Sequence, residues 1–337
     1  DKITAVGTSV FTNLDISGDV DVDGTLETDN LTVGGAQGTD GQVLTSTGSG
    51  VGWEDAAGGV TFKAFGTSSI MVGDDATGTI SAANYNTGLG VDVFAALTSG
   101  DSNVAVGYNA GAGITTGTLN TFIGGLAGDA TTTASDNTGV GAASMGGNTT
   151  GTRNTALGSD SLKVSTEGND NTAIGKGSLA ANTTASNNTA VGKNSLTANT
   201  TGAQNTAVGQ GAGESNTTGV SLVALGRQAL EANTEGDFNT ALGQRALFKN
   251  TTSDDNTAVG NQALGENTTG AGNTAVGADA LDANTTANNN TAVGKSSLGA
   301  NTTGTFNTAS GRQALLSNTT GDNNVAVGGN ALYQNTT

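Results

Sequence analysis

Three aspartates at alternate positions, Asp19, Asp21 and Asp23, followed by Gly24, have the spacing most suggestive of chemistry in this chain. A run D-x-D-x-D-G opens calcium-binding loops, where alternate carboxylates converge on one cation. Such a loop closes on a glutamate at its twelfth position, and here that position is Asn30. Val20 and Val22 between the acids give ordinary strand alternation with the carboxylates outward. Strand alternation is the simpler account, so neither a metal nor a cofactor is expected.

Other chemistry is limited by what the chain lacks. It has no His and no Cys, so Ser-His-Asp and Cys-His arrangements cannot form, nor can a histidine- or thiolate-ligated zinc site. Paired carboxylates could still cleave glycosidic bonds. They need a groove, normally built from loops inserted between structural units. The 11 bases and 29 acids give a net charge of −18, with no basic cluster to neutralise a run of phosphates. Nucleic acid is therefore not an expected partner. No apolar run reaches the ~18 residues of a membrane span, so no membrane insertion is expected.

The elements that must position any site are set by a repeat. The unit N-T-A-V-G-x-x-A-L-x-x-N-T-T-G-x-x has first positions at Ser69, Asn86, Asn103 and onward to Asn324, sixteen copies in steps of 17 with no insertion. The fifth position is Gly in every copy, from Gly73 to Gly328. A unit this short and rich in Gly and Asn cannot hold a helix pair, since helix-pair repeats run to about 33 residues or more. One strand and tight corners per coil remain, giving an all-β parallel solenoid of about sixteen coils. Sixteen coils without an inserted loop leave nowhere to build a catalytic groove, and the chain is not expected to be an enzyme.

Within a coil, the β-branched and aliphatic residues at positions two and four are read as facing inward, with Leu at position nine as the opposite wall. That assigns Val191, Leu196, Val208, Leu230, Val259 and Val276 to the core. Gly175, Gly192, Gly209, Gly226, Gly243 and Gly260 are read as corner glycines. Position three is then outward, yet it is Ala in twelve of the sixteen copies. A strand apolar on both faces is a strand covered on both faces. Ala207, Ala241, Ala258 and Ala275 are therefore read as a contact line between chains of a homotrimer.

Charges recur at fixed coil positions too. Lys176, Lys193, Arg227, Lys295 and Arg312 share the sixth, and Asp136, Asp170, Asp237 and Asp322 lie at the sixteenth or seventeenth. They read as solvated rims. Phe238 and Phe306 share the seventeenth position, and Phe248, Leu316 and Tyr333 the tenth; they are read as inter-chain packing, with glycan stacking as the rival. The recurring N-T-T fits the N-glycosylation pattern, which matters only in a eukaryotic secretory pathway.

Residues 1–55 alternate apolar and polar residues between glycines and carry the only Trp, Trp53, as expected of short strands in an attachment region. Residues 56–68 are read as an Ala/Gly connector and 69–337 as the solenoid. Coils 69–136 are irregular, with Phe94 and Phe122 expected to plug the transition. A start at Asp1 and a stop within a repeat suggest a piece of something longer.

The segments N-T-A-V-G, N-T-A-I-G and N-V-A-V-G resemble the repeated motif in the head domains of trimeric autotransporter adhesins. There a short strand ending in Gly recurs in a left-handed parallel β-roll, and three rolls associate. The repeat here is longer and its N-T-T-G half differs. G-Q-V-L-T-S-T-G-S-G-V-G-W-E-D resembles segments of phage tail-fibre proteins, which are extended, trimeric and attached by their N-terminal end. The resemblance implies a homotrimeric virion appendage, outside the cell, contacting other virion proteins and a host-surface glycan or protein receptor. The rival expectations are a bacterial surface adhesin or extracellular filament and, further off, a polysaccharide-degrading spike.

Overall fold

The computed structural model describes residues 83–337 throughout, and N-terminal to them only the backbone of six strands. The aspartate run at 19–24 lies outside the described residues. The chain divides into two compact units, Asp1–Gly59 and Val60–Thr337. In the first unit, β1 (Thr32–Val33) pairs antiparallel with β2 (Ala36–Gln37), and β3 (Gln42–Ser46) pairs antiparallel with β4 (Val51–Asp55).

In the second unit β5 (Phe62–Phe65) pairs antiparallel with β6 (Ser69–Gly73). The segment 56–68, read as a connector, therefore contributes a strand to the start of the sheet. From β6 onward every pairing is parallel. Fifteen strands run from β7 (Thr87–Gly90) to β21 (Val325–Val327), each set against its neighbour 17 residues on. At the usual strand spacing, their fourteen steps extend the stack about 67 Å. The strands from β7 to β21 form a parallel β-solenoid, and no helix among the described residues is long and apolar enough to cross a membrane.

Each coil has one short strand, of four residues in β7 and three in β8 to β21, and the rest is turn or irregular. Non-glycine residues adopt left-handed angles at positions seven, nine and seventeen, as in Asn194, Leu196 and Gln204, with φ of 58°, 48° and 62°. Left-handed backbone costs a bulky residue like Leu about 1–2 kcal/mol. Burial of its side chain offsets this at position nine, where Leu196 and Leu230 are 1% and 0% exposed. The six corner glycines named above have φ between 127° and 137°, a region closed to side-chain-bearing residues. A Cβ on Gly209 would lie 2.5 Å from the carbonyl oxygen of Gly226 in the next coil.

The strand faces are the reverse of the expected ones. Ala207, Ala241, Ala258 and Ala275 are 0–1% exposed within a single chain and belong to the coil's own core, so they are no contact line. Val208 is 38% exposed and points outward, and Val191, Val259 and Val276 are only half-buried in the same row. The reason is the narrowness of the coil interior. It is filled by Ala at position three, Ala or Ser at position eight and Leu at position nine, with Ala229, Ala246 and Ala263 wholly enclosed. Two β-branched side chains per coil would overfill that space.

The irregular coils show how tight it is. Phe122 occupies the third position and is fully buried. Gly128 and Gly139 around it leave its ring room: a Cβ on either would lie 2.5 and 2.9 Å from ring atoms. Phe94 is also fully buried.

Buried amides tie coil to coil. At position one, Oδ1 of Asn86 accepts from both the backbone N–H and Nδ2 of Asn103, at 2.9 and 3.0 Å. Asn103 Nδ2 also donates to the Gly117 carbonyl. At position twelve, Asn216 Nδ2 donates to Asn199 Oδ1 at 2.8 Å and to the Gly219 carbonyl at 3.0 Å. Threonines at position thirteen add a third ladder, Thr217 Oγ1 donating to the Thr234 carbonyl. A buried amide costs stability unless its hydrogen-bonding groups are matched, and these largely are.

Candidate functional site

No cluster of three or more His, Cys, Asp or Glu side chains that could hold a metal occurs among the described residues. A notch in the surface is lined by Leu126, Asp129, Ala143, Gly146, Gly147, Lys163 and Val164. Partial burial raises the Asp129 carboxyl above its ordinary range. Asp129 is the only carboxylate in that lining, so the notch does not assemble the acid pair that glycoside cleavage needs.

The surface with the longest reach is the outer face of the strands. Its rows are position two, Thr in most coils, and position four, which is aliphatic in fourteen of the fifteen strands from Leu89 to Val327 and broken only by Ser310. Ile123, Leu157, Ile174, Leu225 and Val293 in the fourth row are 38–40% exposed, and Leu89 is 50% exposed. Exact parallel register sets each side chain over its equivalent, Val191 over Val208 and Leu225 over Leu242. Isolated exposed aliphatics are ordinary, but an uncharged row of this length, interrupted once, is a candidate contact surface.

Charge borders the row on both sides. Just after the strand, at position six, Lys176, Lys193, Arg227, Lys295 and Arg312 are all exposed, and no acid shares that position among the described residues. Just before the strand, at positions sixteen and seventeen, lie Asp101, Asp136, Asp170, Asp237, Asp254, Asp255 and Asp322, with Arg153 the single base among them in the described residues. Several of these acids also order the turns. Asp322 accepts from the Thr305 backbone N–H, and Asp170 pairs with Arg153 at 2.7 Å; both contacts lower the carboxyl's pKa. Phe238 and Phe306 stand on the acidic side, 58% and 57% exposed, whereas Phe248 at position ten carries Arg245 4.1 Å above its ring.

Sequence reasoning found the rows but put them on the wrong side of the strand. The compensating trio Phe122, Gly128 and Gly139 was the available clue, because a large residue matched by missing side chains belongs to an interior. No known protein family matches this chain, and no curated protein or solved structure does.

Proposed function

We propose that this chain is the shaft of an extended extracellular fibre, a phage virion appendage whose repeat body serves as a spacer. The observation that supports this reading is the unbroken parallel stack, fourteen 17-residue turns with no inserted loop. Such a body has length and a repeating surface, and no loop is inserted between its coils to build a groove. Three copies per fibre is the number supplied by the resemblance to autotransporter heads. The first unit is the attachment end to other virion proteins, and exposed side chains such as Phe238 are available to a host glycan or protein. The protein has no catalytic role in this reading.

Antibody raised against the purified chain, with gold labelling in electron micrographs of phage preparations and of bacterial cells, tests the proposal. Labelled virion fibres are the expected result. Label confined to cell surfaces or free filaments would replace it with the adhesin reading. Loss of purified capsular polysaccharide on incubation with the chain would replace it with the spike.

A further inference from the structure

We infer that the outer strand face binds a second copy of this chain, with the two stacks parallel and pointing the same way. The inference does not use the copy number of the fibre reading; where and how two chains meet rests on the face itself.

The first ground is area. At roughly 60 Å² apiece, the fourteen aliphatics of the fourth row offer roughly 800 Å², about what each partner contributes to a standard interface, before the Thr row is counted. The second ground is spacing. Knobs along this face recur once per coil, at the distance between neighbouring parallel strands. A long face with that same repeat is available on another copy of the chain, whose aliphatics can settle between those of the first. A globular partner would match it over a few coils only.

The third ground fixes direction. The basic rim lies on one side of the row and the acidic rim on the other. If two faces are related by rotation about an axis parallel to the stack, the basic rim of each chain meets the acidic rim of the next. If one stack is reversed, base meets base and acid meets acid. Levels agree as well: Asp170 and Lys176 flank the same strand, Thr172–Ile174. Arg227 and Asp237 flank adjacent strands, as do Arg312 and Asp322. Exposed charges of this kind contribute little affinity but select orientation.

The test uses the whole chain. Light scattering should return a multiple of 32.6 kDa, and Val208→Lys with Leu242→Lys should reduce it to a single chain. Both side chains point outward, so the β circular-dichroism signal and its melting should persist in the variant. That separates lost association from lost fold. Direction is read by disulfides, since the chain has no cysteine of its own. Val293→Cys should cross-link to itself, and a mixture of Val106→Cys with Val293→Cys chains should give no mixed product. A monomeric unmodified chain, an assembly indifferent to the two lysines, absence of the Val293 self-link, or a mixed link between the two variants would each overturn the inference. Virion labelling by a chain that proves monomeric would overturn this inference and the copy number while leaving the appendage reading standing, so the two can fail separately.

Discussion

Asn199 donates from Nδ2 to Oδ1 of Asn182, one coil back, across 3.1 Å, and the series continues coil by coil through Asn335. The equivalent bond is missing two coils earlier, where Ser165 follows Asn148. Asn148 Oδ1 and Ser165 Oγ are both buried without a hydrogen-bond partner among the described residues.

Ser165→Asn should therefore join Asn148 to the ladder that starts at Asn182. The expected gain is about 1 kcal/mol, a typical net value for a buried hydrogen bond. Thermal melting reads it directly. An unchanged or lowered melting temperature would mean that the position cannot take the amide its neighbours take.

Ala241→Leu and Val208→Thr test the assignment of strand faces. The first forces three extra carbons into a closed interior and should cost about 1–3 kcal/mol or more. The second changes an exposed, outward side chain and should stay within about 0.5 kcal/mol in the single chain. A larger loss for Val208→Thr, measured where the chain is monomeric, would contradict the packing described above.

Gly209→Ala should be among the most damaging single changes. Its φ of 134° excludes side chains, and the new methyl would meet the Gly226 carbonyl at 2.5 Å. Local separation of the two coils should show as protease cleavage near residue 209. Gly329→Ala is the control, since a Cβ there meets nothing within 4 Å, and it should be silent.

Asp282 gives the pH dependence its sign. Burial, then Asp279 and Glu266, raise its carboxyl above the ordinary value, so its ionisation opposes folding. Asp282→Asn should raise the melting temperature at neutral pH. The gain should shrink as pH falls through the raised folded value and vanish below the ordinary aspartate range, where both states are protonated. A gain of equal size at pH 3 and pH 7 would assign it to something other than charge.

The period, the strand class and the corner glycines were legible because each is fixed by local chemistry that repeats without exception. Gly at position five is the clearest case: its backbone angle and its closeness to the next coil both require it. The facing of T-A-V was not legible in the same way. Alternation says that Thr and Val share a side and Ala takes the other, but not which side is wet. The answer depends on the volume left inside a 17-residue coil, which only residues meeting across the interior report. Positions eight and nine, where Ala229 and Leu230 are both fully buried, supply that information, and they lie in turns where strand reasoning does not look. The amide ladders at positions one and twelve were expected in kind, although the burial of nearly every Asn in them was not evident from composition.

The invariant 17-residue register makes length a free variable. Within the regular coils, loss or gain of 51 coding bases removes or adds one whole coil. It rejoins Asn to Asn, Gly to Gly and Leu to Leu across the new junction, because each coil touches only its neighbours. Unequal recombination among near-identical coding units can thus shorten or lengthen the stack in steps of about 4.8 Å, leaving core, corners and outer face as they were. The length of the stack can then change without any change in the chemistry of a single coil.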